Sequence, residues 1–314
     1  MKKLMKKKVN MFGKEFSVFA IVMVAMIGLA TAALIPYFGL ITGMVTVSQS
    51  VLLNGNDYNT PVIDTLSNVV AGTPIVYKEH DLTNANPSID AIVSLDSSCT
   101  KDGTADDGSC AELMSAKEFE LESIIGSAND DEDNLHLIPD TAQTWSTFSN
   151  VSFDYNITYG GNYIPHVNLV LRNSAGEAQC WGISSQTNPG VIGVEATQVV
   201  NKADFVISYE TTSGSCASGI IDNLMFNSVT LESGNGGAIN IAEYVQTVLV
   251  KNVKLDENLL DKFRVPNAAY GNTQARTVYF RNVYDFSALN MYPGNYVVTT
   301  NVVPEGTYSQ GLVI

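Results

Sequence analysis

Apolar and polar residues alternate with a period of two along most of this chain, and turn residues interrupt the alternation every 8 to 15 positions. That spacing predicts the strands of packed antiparallel sheets rather than helices. The sharpest instance sets Val151, Phe153, Tyr155 and Ile157 on one side of a strand and Ser152, Asp154, Asn156 and Thr158 on the other. A second strand follows, with Val167, Leu169 and Leu171 inward and His166, Asn168 and Arg172 outward. Further strands are predicted over residues 45–53, 73–80, 91–95, 205–209, 227–231, 244–255, 277–283 and 296–303. Asn-Gly-Asn at 54–56 supplies the turn after the first of these. The one helical candidate is Ala111–Ile125, where Leu113, Phe119, Leu121 and Ile124 are loosely spaced. An acidic run without apolar residues, Asn129–Asn134, reads as a solvated boundary. The expected fold is therefore all-β: two antiparallel, jelly-roll-like β-sandwiches, residues 33–138 and 139–314, after a hydrophobic leader at 1–32.

The leader follows from Lys2, Lys3, Lys6, Lys7, Lys8 and Lys14, which precede an apolar run from Phe16 to Leu34 containing Ala30-Thr31-Ala32. This is the layout of a secretory signal peptide cut after Ala32. The run is also about as long as a bilayer-spanning helix, so it could stay as an anchor, the only membrane contact expected. Lysines on its N-terminal side would then keep that end cytoplasmic, so either way the rest of the chain is exported to the cell surface or beyond. A cut after Gly13, keeping the apolar stretch for a pilin-like bundle, is a third option.

Charge and cysteines agree with export. The chain carries 17 Lys+Arg against 32 Asp+Glu, and six of the cations but one of the acids lie in the leader, so cleavage leaves a strongly acidic protein. Such a balance argues against nucleic acid as a partner, because phosphates demand clustered cations. Cys99 and Cys110 flank a ten-residue loop, and Cys180 and Cys216 follow later; the four allow three connectivities. Cys99–Cys110 with Cys180–Cys216 is favoured because each pair falls within one expected domain, and closing the shorter loop would contribute about 3 kcal/mol. No His or second Cys stands at zinc-ligand spacing. Asp102, Asp106 and Asp107 in one loop and Asp130, Asp131, Glu132 and Asp133 in another offer oxygens to calcium as a cofactor, without an EF-hand spacing.

The segment ALIPYFGLITGMVTVSQSVLL, directly after the Ala-x-Ala site, resembles the mature start of the TasA and camelysin group, in which Ala-Tyr-Phe-Ser-Asp is usual and Tyr37-Phe38-Gly39 stands here. Residues 71–95 are similar to the strand, Asn-rich turn and strand of such surface sandwiches. Covering residues 1 to about 95, the resemblance implies a SipW-type signal peptide and an exported jelly roll. It also implies polymerisation by giving an N-terminal strand to the next subunit, as archaeal bundling pilins do. Independently, Ala33–Val47 is an apolar, β-branched segment that must find a sheet edge, its own or a neighbour's.

The chemistry points to interaction rather than turnover. His80, His136 and His166 are the only histidines, and no G-x-S-x-G, H-E-x-x-H or phosphate loop occurs, so no catalytic residue is assigned. If the strands at 150–158 and 166–172 pair, Asp154, Asn156, His166, Asn168 and Arg172 share an outer face beside Trp181 and Tyr163. That mixture of hydrogen-bonding groups and rings suits glycans. Asn150 (N-V-S) and Asn156 (N-I-T) are also glycosylation triplets. The reading is an exported surface structural protein, self-associating as a filament or envelope subunit, with a carbohydrate-binding adhesive module as the alternative and a secreted glycan hydrolase behind it.

Overall fold

The computed structural model describes residues 8–11, 14–17, 51–57, 59–70, 72–86, 90–105, 117–125, 133–140, 142–174, 178–185, 187–209, 221–233, 244–266, 277–286 and 293–308. Two compact units divide the chain, Met1–Ser48 and Gln49–Ile314. Within the first, β1 (Lys8–Met11) and β2 (Lys14–Ser17) pair as an antiparallel hairpin. The apolar remainder of the expected leader and the candidate donor segment Ala33–Val47 lie outside the described residues. Among the described residues no helix is long and apolar enough to cross a membrane.

The second unit is built from two antiparallel sheets. The ten-stranded sheet runs β15 (Phe205–Tyr209), β13 (Ala178–Ser184), β12 (His166–Arg172), β16 (Met225–Ser233), β10 (Asp133–Ile138), β19 (Lys262–Val265), β7 (Asp90–Lys101), β21 (Gly294–Tyr308) and β5 (Val62–Val69), with β8 (Thr104–Ala105) on β7. The nine-stranded sheet runs β14 (Glu195–Asn201), β11 (Asn150–Tyr159), β17 (Tyr244–Leu255), β9 (Glu118–Ile125), β20 (Thr277–Tyr284), β6 (Val76–Asn84), β3 (Val51–Leu53) and β4 (Asn56–Asp57), with β18 (Asn258–Leu259) on β17. Turn chemistry fixes the tight hairpins. Between β3 and β4, Asn54 and Gly55 both take positive φ, 49° and 73°, and this two-residue turn matches the twist of the flanking strands.

The class is as the alternation predicts, an antiparallel β-sandwich. Its partition along the chain is different. Strands from before and after residue 138 share both sheets: β20 pairs with β6, β17 with β9, and β21 with β5 and β7. β10, at the expected boundary, hydrogen-bonds to β16 on one side and β19 on the other. Sequence neighbours alternate between sheets in a jelly roll, so sequence order does not cut it into two sandwiches. The helical candidate is also corrected over its described part. Residues 118–125 form β9, in which Phe119 and Leu121 turn to the core and Glu120 and Glu122 away from it. Its Glu and Leu favour a helix locally, and pairing with β17 and β20 overrides that preference.

The interior is not uniformly apolar. A large cluster spans most of the sandwich, including Phe153, Ile157, Leu169, Val229, Val250, Phe263 and Phe280. A smaller one gathers Leu66, Val69, Cys99, Tyr284, Phe286, Tyr296 and Val298. Between them runs a polar layer drawn from five strands: Asp64, His80, Asn282, Thr300 and Ser97. On β20 and β21 the layer residue stands between members of the two clusters, Asn282 between Phe280 and Tyr284 and Thr300 between Val302 and Val298.

Candidate functional site

β11 and β12 lie in different sheets, so the five residues expected on one ligand face are divided. The six residues Gly160–Pro165 between the two strands carry the chain from one sheet to the other instead of closing a hairpin. Asp154 stands on the outward side of the nine-stranded sheet, where it accepts hydrogen bonds from Thr197 Oγ1 (2.5 Å) and Asn252 Nδ2 (2.8 Å). His166, Asn168, Arg172 and Trp181 do share a side, the outward face of the ten-stranded sheet, since Trp181 pairs with Val170 across β12 and β13.

That face is more enclosed than alternation suggests. Asn168 is only 7% exposed, and Val170 beside it is buried. Register places His166, Glu232 and Asn134 in one row and Asn168, Thr230 and His136 in the next, on β12, β16 and β10. His166 Nε2 lies 3.1 Å from Glu232 Oε1, Asn168 Nδ2 donates to Glu232 Oε2, and His136 Nδ1 is 2.8 Å from Thr230 Oγ1. Burial, helped by the Arg264 charge, holds the His136 imidazole well below its ordinary pKa, so this ring is neutral. The grid therefore tends to stitch strands together on a closed surface.

The open face is on the other sheet, and sequence reasoning missed it. Tyr77 on β6 and Tyr279 on β20 are 47% and 49% exposed. Register sets Tyr279 between Asp81 and Glu120, and Arg281 between Glu79 and Glu118, leaving Tyr77 one row further on. Four residues of strand rise separate the two tyrosine rows, about 14 Å. The Arg281 guanidinium lies 4.1 Å from the centre of the Tyr77 ring, and its Nε donates to Glu118 Oε2 at 2.6 Å. Lys251 reaches the same carboxylate at 3.1 Å and Glu195 at 2.9 Å. Burial together with the Glu79 and Glu122 charges raises the Glu120 carboxyl, with Arg281 opposing. The signal was available: in Val76-Tyr77-Lys78-Glu79 and Thr277-Val278-Tyr279, the tyrosines occupy the outward parity.

The remaining candidates are placed as follows. Asp102 Oδ1 accepts the backbone and side-chain N–H groups of Asn295, and Asp133 accepts the backbone N–H of Glu122 and Asn134. Asp106, Asp107, Asp130, Asp131 and Glu132 lie outside the described residues. Among the described residues no three His, Cys, Asp or Glu side chains gather closely enough to hold a metal ion. Asn150 opens β11, and Asn156 sits inside it between Glu195 and Leu249. Cys99 and Cys180 are each disulfide-bonded, whereas Cys110 and Cys216 lie outside the described residues. Five strand spacings separate β7 from β13, about 24 Å, so Cys99 and Cys180 are not bonded to each other.

No protein-family model and no curated protein matches the chain. Among solved structures, it is similar to the family 11 carbohydrate-binding module of the cellulosomal cellulase Lic26A-Cel5E of Clostridium thermocellum. The identity is 12% and the TM-score 0.31, over 65% of this chain and 95% of that one. It is also similar to a structure of the infectious bursal disease virus Gt strain, at 8% identity and TM-score 0.24 over 84% of each chain. At these values the likeness is one of general sandwich architecture.

Proposed function

We propose that this chain is an exported, non-catalytic β-sandwich module that binds glycans on the outward face of the nine-stranded sheet. The observation that carries the reading is the pair of half-exposed tyrosines, Tyr77 and Tyr279, with Arg281, Glu79, Asp81 and Glu120 between and beside them. A sugar ring presents an apolar C–H face and a rim of hydroxyls, so recognition needs an aromatic surface and nearby donors and acceptors. Here the rings lie far enough apart for an oligosaccharide rather than a single sugar. Glu118 fixes Arg281 before any ligand arrives, which lowers the ordering cost of binding. The leader supports export, and the excess of acids suits a soluble surface protein.

A glycan-array screen of the secreted chain tests this reading. Binding to a defined set of oligosaccharides is expected, falling at least about tenfold in the Tyr77→Ala and Tyr279→Ala variants. An array without hits, or hits that both variants retain, overturns it.

A further inference from the structure

We propose that a cavity between the two sheets, beside the turn joining β17 and β18, binds a carboxylate-bearing amphiphile of medium chain length. The cavity measures about 270 Å³. Leu95, Leu137 and Phe263 line it from the ten-stranded sheet, and Phe119 and Val253 from the nine-stranded sheet. At its rim stands Leu259, 54% exposed, so the space is reachable from solvent.

Asn252, Leu260, Asp261 and two lysines complete the lining, and the lysines differ in what they already hold. Lys251 is engaged by Glu118 and Glu195. Lys117 donates to the neutral Ser97 Oγ at 2.8 Å and, among the described residues, forms no ion pair. Its ammonium has three donors, so one neutral acceptor leaves it without a directly bonded carboxylate beside apolar walls. A carboxylate would supply charge-assisted hydrogen bonds there, while its alkyl chain covers Leu95, Leu137, Phe119 and Phe263. Burial lowers the Lys117 pKa despite the nearby Asp96 charge, which is the penalty that a bound anion would offset. A neutral chain fills the same walls without meeting this need, and a cationic one sets its charge against Lys117.

Calorimetric titration of the full chain with decanoate, decanol and decyltrimethylammonium tests the proposal. Decanoate is expected to bind at one site, with decanol weaker by about tenfold or more and the cation showing no saturable binding. Lys117→Met should bring decanoate down to the affinity of decanol, and Leu95→Phe, which fills the cavity, should weaken both. Equal affinity of the wild-type chain for acid and alcohol overturns the proposal. So does the absence of decanoate binding below its micelle-forming concentration, or wild-type binding by a folded Lys117→Met chain. The first two outcomes need no variant to fold.

Discussion

His80 Nε2 lies 3.1 Å from Asp64 Oδ2 inside the sandwich, and the same oxygen accepts hydrogen bonds from Tyr284 Oη at 2.6 Å and Asn282 Nδ2 at 2.9 Å. Asn54 settles the tautomer. Its Oδ1 accepts the backbone N–H of Asp81, so its Nδ2 is the donor to His80 Nδ1, and the histidine proton sits on Nε2 facing Asp64. From Asn282 the chain of bonds continues to Thr300, Ser97 and Lys117. A histidine and a carboxylate in contact can signal catalysis, but here Asp64 is 5% exposed and its Oδ2 already takes three donors. It ties β5 of one sheet to β6 and β20 of the other.

Removing that acceptor strands the His80 and Tyr284 donors in the interior and leaves Asn282 Nδ2 only Thr300. Asp64→Ala should cost about 3–5 kcal/mol of stability, read from urea unfolding, because the partners cannot reach water. Asp64→Asn, which keeps one acceptor oxygen, should cost less.

The same carboxylate gives an acid-side dependence. Burial alone would raise its pKa, but the hydrogen bonds from His80, Tyr284 and Asn282 outweigh burial and hold it below the ordinary value of 3.8. A depressed folded pKa contributes stability that is present above the unfolded pKa and lost as pH falls through the folded one. Unfolding midpoints measured between pH near 5 and strongly acid conditions should therefore fall more steeply for the wild-type chain than for Asp64→Asn.

Asp133 acts in the opposite direction. Burial raises its carboxyl to about 6, with the Glu122 and Glu120 charges adding and the backbone N–H groups of Glu122 and Asn134 opposing. A raised folded pKa favours the protonated fold, so its contribution is full below the unfolded pKa and fades as pH climbs through about 6. Asp133→Asn should flatten the stability profile across that range, and carboxyl NMR titration of Asp133 reports the pKa directly.

Placing Cys99 and Cys180 in separate clusters excludes one of the three possible connectivities. Non-reducing peptide mapping should find Cys99 linked to Cys110 and Cys180 to Cys216. A Cys99–Cys216 linkage would contradict this pairing.

How much was legible in advance depended on whether burial was one-sided. In β11, one face meets the core and the other solvent, so Val151, Phe153, Tyr155 and Ile157 stood out. In β12 both faces are covered, and alternation wrongly left Asn168 in solvent. Sheet membership was not legible, because which edges meet depends on crossovers that local pattern does not encode. Asp64 carried a faint clue, an acid on the same parity as the core residue Leu66, but its partners are 16 to 220 positions away. Tyr77 and Tyr279 were hidden because aromatic residues in strands ordinarily count toward a core.

The most direct test is NMR mapping of the isotopically labelled chain with an array-positive oligosaccharide. Shift changes should concentrate on β6, β20 and β9 around Tyr77, Tyr279 and Glu120. Changes confined to the face bearing His166 and Trp181, or to none of these strands, would contradict the account.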